Sequence, residues 1–421
     1  MRVRRFDWTQ AQAVADEIRN WVAETAPEVD VEPIAREVIE GGDAAVLALT
    51  ERFDSPHNPP QRLRVEASEV AAALESLDSE VREALELAAA NVRAVAEAQV
   101  DDTPHKVELP QGQAVVLADI AVRSAAVYAP GGRAAYPSSV LMCCIPARVA
   151  GVERLAVATP PGEDGRVHPV TLAACALCEV DEVYAMGGAQ AVIALACGTE
   201  SVEPVDVVVG PGNAWVQEAK RWVFGRVGID ALAGPSELML IVGHDTELEW
   251  AALDLCAQAE HGADSPLIAA GVEEAVLDSL AEAVTDAAAQ RPSVADAPLA
   301  LVQLPDLSDA LALANAYAPE HLQLMSEDAY ALSGQVRTPG CVFVGRASGT
   351  AFGDYAAGSN HVLPTGGTGR FSGPLGPAAF RRRIANVSLP GSAAAVLAPY
   401  VDTLARAEGL PVHGESARAR E

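Results

Sequence analysis

Lysine is almost absent from this 421-residue chain, where Lys106 and Lys220 are the only two among 29 basic residues. Acidic residues number 58, and the formal net charge at neutral pH is −29. A surface of this sign repels phosphate groups, which argues against a protein that binds nucleic acid or docks on anionic membranes. The same excess suggests a high-salt cytoplasm, where ions screen the repulsion between carboxylates.

We therefore expect the stability of the protein to depend on salt. Molar salt shortens the screening length to about 3 Å, so the thermal unfolding midpoint should rise between low-salt buffer and molar KCl. The midpoint is measured by circular dichroism, with a sucrose solution of equal osmolality as the control for solvent exclusion. An unchanged or lower midpoint in KCl contradicts the salt hypothesis.

Long apolar runs are also missing. No stretch of 18 or more uninterrupted apolar residues occurs, so no transmembrane helix is predicted. The N-terminus is charged and no apolar run follows it, so a signal peptide is not expected and the predicted location is cytoplasmic. The seven cysteines are scattered in apolar surroundings and are interpreted as reduced core thiols. A metal or redox role for the Cys175-x-x-Cys178 pair is the less favoured alternative.

What is present is a chain with half its residues hydrophobic, enough for two or three domains. Residues 9–25 and several segments up to residue 100 have helical periodicity, and a hairpin is predicted around Gly112. Short apolar runs then alternate with helical stretches, which is typical of βαβ units with buried parallel sheets. The predicted strands are residues 125–129, 155–159, 182–185 and 205–209, then 238–242, 267–270, 300–304 and 342–345.

The predicted fold class is α/β, with two Rossmann-like parallel-sheet domains, a helical N-terminal segment and a C-terminal helical arm. The predicted division is an N-terminal helix (1–25), a first α/β domain (26–127 plus 236–375), a second α/β domain (128–235) and the arm (376–421). After Pro374 the strand pattern stops, and the arm has too little apolar surface for a core of its own. Ligands are expected at the carboxyl ends of the strands in both sheets.

The dinucleotide fingerprint Gly-x-Gly-x-x-Gly is absent. Three other loops of small residues follow predicted strands, and each carries one polar side chain: Tyr128, Gln190 or Asn213. Glycines in such loops let the backbone approach a ligand, and the following helix N-termini favour phosphate. The three loops together indicate a nucleotide site, although any one of them is also an ordinary βα turn.

Candidate catalytic and metal-binding residues lie in polar segments rich in Gly or Pro. Gln258 and His261 project from one face of a helix end, where they could hold a metal ion, zinc above all. The plain alternative is a helix end with a glycine stop at Gly262. Glu320 and His321 could divide two proton transfers, or form a surface pair. The remaining candidates are Asp354 and His361 in one loop, and Glu408 and His413 near the chain end, where a histidine usually has no function.

Taken together, these segments resemble the histidinol dehydrogenase family over nearly the whole chain, from about residue 34 to residue 418. The resemblance is carried by the motifs Tyr-Ala-Pro-Gly-Gly-Arg-Ala-Ala-Tyr-Pro-Ser-Ser-Val-Leu-Met (128–142), Gly-Gly-Ala-Gln-Ala (187–191), Gly-Pro-Gly-Asn (210–213), Ala-Gly-Pro-Ser-Glu (233–237), Gln-Ala-Glu-His-Gly (258–262), Ala-Pro-Glu-His-Leu (318–322) and Gly-Asp-Tyr-Ala-Ala-Gly-Ser-Asn-His-Val-Leu-Pro (353–364). The resemblance implies NAD-dependent oxidation of L-histidinol to L-histidine through histidinal, which is the final step of histidine biosynthesis.

Residue roles follow from the same resemblance. It implies one zinc ion per subunit, held by Gln258, His261, Asp354 and His413, and NAD contacts from Tyr128, Gln190 and Asn213. Substrate contacts would come from Ser236, Gln258, His261, His321, Asp354, His361, Glu408 and His413. His321 would accept the hydroxyl proton in the first oxidation, and Glu320 would activate water for the second. The family also implies a homodimer in which the C-terminal arm is exchanged, so that Glu408 and His413 complete the partner's site.

Other functions remain open at this stage. The nearest is a related NAD-dependent dehydrogenase that acts on another small polar alcohol. A zinc hydrolase could use Glu320 beside a metal-bound water, but it would have no use for the nucleotide loops. A metal-binding scaffold would not need adjacent acid–base residues.

Overall fold

The strands that the sequence predicts form two separate parallel sheets. The structure is a computed structural model that describes residues 1–23, 29–131 and 134–421. Its strands, in chain order, are β1 (Arg2–Phe6), β2 (His105–Glu108), β3 (Ala114–Ala121), β4 (Ser124–Tyr128), β5 (Arg154–Thr159), β6 (Glu182–Ala185), β7 (Val207–Val209), β8 (Gly228–Ile229), β9 (Leu238–Val242), β10 (Leu267–Gly271), β11 (Pro298–Gln303), β12 (His321–Leu324), β13 (Cys341–Val344) and β14 (Arg381–Ser388).

Helices cover these sheets. In chain order they are α1 (Ala11–Ala23), α2 (Glu32–Phe53), α3 (Ala67–Glu75), α4 (Ser79–Glu97), α5 (Pro137–Ala150), α6 (Pro169–Leu177), α7 (Gly188–Cys197), α8 (Ala214–Val223), α9 (Leu248–Ala259), α10 (Glu274–Ala289), α11 (Leu307–Tyr317), α12 (Ala329–Ser333), α13 (Thr350–Tyr355), α14 (Gly391–Ala407) and α15 (Pro411–Arg418). None of them, within the described residues, is long and apolar enough to cross a bilayer.

One sheet, as described, has six parallel strands in the order β1-β11-β10-β9-β12-β13. Successive side chains of each strand point to opposite faces of the sheet, and helices cover both faces at its centre. Met239 and Ile241 of β9 pack with α1 and α11, whereas Leu238 and Leu240 pack with α9 and α10. Strand β1 was not predicted. It lies at the sheet edge and pairs with β11, and its charged, largely exposed sequence has no apolar pattern.

The other parallel sheet contains five strands in the described part of the chain, in the order β6-β5-β4-β7-β8. Helices α5 to α8 follow its strands, and the chain from residue 31 to residue 97 adds α2, α3 and α4 to its two faces. The sequence-based division instead groups residues 26–127 with the six-stranded sheet. The amphipathic faces of α2 to α4 define a buried side for each helix, but they carry no information about which sheet that side covers.

The predicted hairpin is present as the antiparallel pair β2–β3, and β14 pairs with the other edge of β3. The expectation that strands stop after Pro374 is therefore wrong for residues 381–388. Strand β14 begins with three arginines and is mostly exposed, so alternation of apolar residues is nearly absent from it. The two helices beyond it, α14 and α15, pack against each other.

Candidate active site

Most of the predicted catalytic residues meet at the amino edge of the six-stranded sheet. His321 is the first residue of β12, and it pairs in register with Leu238 of β9 and Cys341 of β13. Helix α9 runs back from the carboxyl ends of the strands, so Gln258 in its last turn reaches the same edge. These candidate residues therefore do not lie at the carboxyl ends of the strands, where ligands were expected. The residues that precede the strands carry the polar groups here.

Two buried glutamates are joined by reciprocal hydrogen bonds, in which the carboxylate of each accepts from the backbone N–H of the other. The Glu320 carboxylate accepts hydrogen bonds from Ser236 Oγ at 2.5 Å and from Glu237 N at 2.7 Å, both to Oε2. The Glu237 carboxylate in turn accepts from Glu320 N at 3.2 Å and from Gly366 N at 3.2 Å. Burial, together with the charge of Glu320, raises the pKa of Glu237 to about 7. This reciprocal arrangement fixes the Glu320 carboxylate beside His321.

His321 is buried between three oxygen atoms. Its Nδ1 lies 2.9 Å from the carbonyl oxygen of Glu237 and 3.4 Å from Glu320 Oε2, and its Nε2 lies 3.6 Å from Asp354 Oδ1. Burial alone lowers the pKa of His321, but the charges of Glu320 and Asp354 outweigh it and raise the pKa well above the ordinary value. A histidine side chain in solution has a pKa of about 6.5. The difference arises because two carboxylates face one ring.

Three of the four predicted zinc ligands converge on this edge within one chain. Gln258 is buried, and its Nε2 donates to Ser236 Oγ at 2.6 Å, so its amide oxygen is the atom available to a metal. His261 follows α9 and is close enough to Asp354 for their charges to interact. Burial raises the pKa of Asp354, but the hydrogen bond and charge of His321 lower it below the ordinary value overall.

This donor set fits zinc, which accepts histidine nitrogen and carboxylate oxygen. It does not complete a site within one chain. Among the described residues, no group of three or more His, Cys, Asp and Glu side chains is placed to hold a metal ion. The fourth predicted ligand, His413, is exposed on α15, and Glu408 is exposed at the end of α14. In the part of the chain that the structure describes, no hydrogen bond or ion pair joins these two residues to the cluster around His321.

His361 links a segment beside the six-stranded sheet to a helix of the five-stranded sheet, and no hydrogen bond in the described residues joins it to Glu320 or His321. Its Nδ1 lies 2.8 Å from the carbonyl oxygen of Asp354, and its Nε2 lies 3.3 Å from Oγ of Ser139 near the start of α5. Burial lowers the pKa of His361, so the neutral ring is favoured. A ring that donates from Nδ1 accepts from the serine hydroxyl, and it ties α13, the helix on which Asp354 lies rather than the predicted loop, to the five-stranded sheet.

The three predicted nucleotide residues lie at the carboxyl edge of the five-stranded sheet. Tyr128 ends β4 and is buried, and its hydroxyl accepts from Gly188 N at 3.1 Å. Gln190 in α7 is buried as well, whereas Asn213 is exposed and caps α8 by accepting from Trp215 N and Val216 N. Residues 132 and 133 of the first loop lie outside the described part of the chain.

Two site residues were missed by the sequence analysis. Asp54, which follows α2, accepts from Gln190 Nε2 at 3.1 Å and from Gly187 N at 3.2 Å. Burial raises the pKa of Asp54 to about 6, although these hydrogen bonds oppose the shift. Glu237 lies inside the quoted motif 233–237, where only Ser236 received a role. A carboxylate directly before a fully apolar strand is a signal that could have identified Glu237.

Comparison with known proteins adds independent evidence. A family model described as histidinol dehydrogenase matches residues 19–421. A histidinol dehydrogenase of Nitrosomonas europaea is 42% identical, with 97% of this chain and 96% of that protein aligned. One from Ruegeria pomeroyi is 44% identical, with 94% and 93% aligned. The crystal structure of histidinol dehydrogenase from Elizabethkingia anophelis has a TM-score of 0.90 at 30% identity and covers 99% of this chain and 97% of that one.

Proposed function

The chain belongs to the histidinol dehydrogenase family, and from this premise we propose how its residues carry out the reaction. As a member it is an NAD-dependent, zinc-containing oxidoreductase that converts L-histidinol to L-histidine in histidine biosynthesis. The assignment of roles rests on one hydrogen-bonded cluster, made of Ser236, Glu237, Glu320 and His321. Asp354 faces the imidazole of His321 in this cluster. This cluster combines an acid–base pair with adjacent metal donors.

In the first oxidation, the neutral form of His321 accepts the proton of the substrate hydroxyl as hydride passes to NAD⁺, and this form requires that the carboxylate charges that raise the pKa of His321 be offset. The backbone carbonyl of Glu237 at Nδ1 orients the ring, so Nε2 faces Asp354 and the substrate space. In the second oxidation, water adds to the aldehyde, and Glu320 takes a proton from that water. Ser236 and Glu237 N hold the Glu320 carboxylate in place for this step.

Zinc fits beside this pair, with Gln258, His261 and Asp354 as ligands from one chain and one ion per subunit. When bound, it supplies a grip on the imidazole and amino nitrogens of the substrate, and its charge offsets that of Asp354 near His321. Ser236 and His361 line the same space, and His361 holds the end of α13 through the Asp354 carbonyl. NAD⁺ occupies the carboxyl edge of the five-stranded sheet, beside Tyr128, Gln190 and Asn213. The substrate segment 236–375 and the nucleotide segment 128–235 thus act as distinct units.

We propose a homodimer with exchanged arms, in which Glu408 and His413 enter the partner's site. Side-chain hydrogen bonds of α14 and α15, in the described residues, join arm residues to each other. The arm exposes apolar side chains that need a cover: Val396, Tyr400, Leu404, Leu410 and Val412. Phe352 and Tyr355 are exposed on the helix that carries Asp354, where an incoming arm could cover them. Cytoplasmic action is part of the proposal and is supported by seven free cysteines, most of them buried.

One assay tests this function. Incubation with L-histidinol and excess NAD⁺ should yield two NADH per histidinol, followed by absorbance. Chelation should abolish the activity, because the substrate then loses the metal contacts to its nitrogen atoms, and added zinc should restore it. Zinc content is measured in parallel for His261→Ala and for His244→Ala, an exposed control histidine. A related dehydrogenase of another small alcohol would give no NADH from histidinol, and a single NADH per histidinol would contradict the two-step reaction.

A further inference from the structure

A buried ion pair lies under the nucleotide loops and has no part in the reaction described so far. Lys220 of α8 and Asp230, which follows β8, form a direct ion pair. Their side chains are 1% and 5% exposed, respectively. Removing two charges from water costs free energy that their attraction seldom exceeds, so a buried ion pair is weak evidence of stabilisation. The pair therefore needs another explanation.

The ion pair encloses the backbone of one residue. Lys220 Nζ donates to the carbonyl oxygen of Gly210 at 3.0 Å, and Gly210 N donates to Asp230 Oδ2 at 2.8 Å. Both polar backbone groups of Gly210 are thus bound by charged side chains, which form stronger hydrogen bonds than neutral ones.

Gly210 also packs closely against the end of β4. Its φ is +119°, a conformation that side chains rarely adopt, and a Cβ there would lie 2.1 Å from the carbonyl oxygen of Tyr128. The backbone of the loop 210–213 therefore presses directly against the end of β4. Any shift of the Gly210 peptide moves the loop relative to Tyr128.

The same pair fixes the other end of the loop. Lys220 lies on α8, and Asn213 is the residue that caps this helix. The ion pair thus anchors α8, the Gly210 peptide and the segment after β8 to one another. Tyr128 and Asn213, on the two sides of Gly210, are both proposed NAD⁺ contacts.

We propose that Lys220 and Asp230 are positioning residues for NAD⁺: their ion pair sets the geometry between Tyr128 and Asn213 by clamping the Gly210 peptide. The inference rests on the proposed placement of NAD⁺ at these loops. Neither side chain is placed to touch the cofactor, because the two side chains are only 1% and 5% exposed.

The test replaces both charges together, since removing one would leave the other buried and unpaired. In Lys220→Met/Asp230→Asn, the introduced amide oxygen can still accept from Gly210 N, but the bond to the Gly210 carbonyl is lost. We expect KM for NAD⁺ to rise about 10- to 100-fold, in line with the effect of small misplacements on binding geometry. At saturating NAD⁺, kcat and KM for histidinol should stay within about twofold of wild type, since the cluster at His321 is unchanged.

The matched control is Arg221→Met/Glu218→Gln, which removes an exposed ion pair from the same helix with the same charge change. It should leave KM for NAD⁺ unaltered. Should the buried double variant not fold, Lys220→Arg keeps the charge pair but displaces the donor to the Gly210 carbonyl, and it should give the same selective rise in KM for NAD⁺. A lower unfolding midpoint with unchanged KM for NAD⁺ overturns the inference and leaves a purely structural ion pair.

A further comparison separates this inference from the function on which it rests. Asn213→Ala and Tyr128→Phe should each weaken binding of NADH, measured by fluorescence titration. If neither does, the placement of NAD⁺ is wrong. If both do while the ion-pair variant binds NADH normally, only the positioning role of Lys220 and Asp230 is wrong.

Discussion

Replacing Glu320 with glutamine is expected to allow the first oxidation and to block the second. The introduced amide oxygen can still accept the hydrogen bonds of Ser236 Oγ and Glu237 N, now 2.5 Å and 2.7 Å long, so the local fold should persist. An amide cannot take a proton from water, and loss of a general base lowers the rate of its step by about 10²–10⁴-fold. Rapid mixing should therefore show a burst of one NADH per site, followed by a slow phase.

The companion variant His321→Ala separates the two roles. It removes the base of the first oxidation, so the first NADH should form more slowly than in the wild type and no burst should be seen. His244→Ala serves as the matched control, because His244 is exposed just beyond the carboxyl end of β9, at the opposite edge of the same sheet. Two NADH at the wild-type rate from Glu320→Gln, or loss of its burst, would contradict the division of labour between the adjacent residues.

The fold was predictable where sequence patterns report burial. The adjacent glycines Gly41 and Gly42 mark a weak point in the helical pattern, and α2 is interrupted there, with a non-helical φ of +54° at Gly42. The apolar runs of β4 and β9 are buried throughout, and the hairpin turns near Gly112. The strands β1 and β14 were missed because they are sheet edges, where partner strands cover the backbone on one side and charged side chains stay in water.

The site was predictable by residue type more than by position. Gln258 and His261 were assigned to a helix end, and the helix does bring them to the edge where Glu320 and His321 lie. Which edge this would be depends on long-range register, which no local pattern encodes. Asp54, the residue after α2, contacts Gln190 from 136 residues earlier in the chain. Motif spacing along the sequence therefore could not predict this contact.

Two inactive variants should regain activity when they share a dimer, if the arm is exchanged. His321→Ala lacks the base in its own core but has an intact arm, whereas His413→Ala has an intact core and a defective arm. After mild denaturation and refolding of an equal mixture, half of the dimers are hybrid, and one site in each combines an intact core with an intact arm. The mixture should thus recover about a quarter of wild-type activity.

A cis double variant gives the matched control for this experiment. When His321→Ala/His413→Ala is refolded with an equal amount of wild-type chain, exchange leaves no complete site in the hybrids, so only wild-type dimers work and about a quarter of the activity of an all-wild-type sample remains. Without exchange, each wild-type chain keeps a complete site and about half remains. Recovery near zero in the first mixture together with about half in the second would place His413 in the site of its own chain. The exposed positions of Glu408 and His413 favour exchange, because α14 and α15, in the described residues, pack mainly against each other and a ligand on them needs a second core to reach.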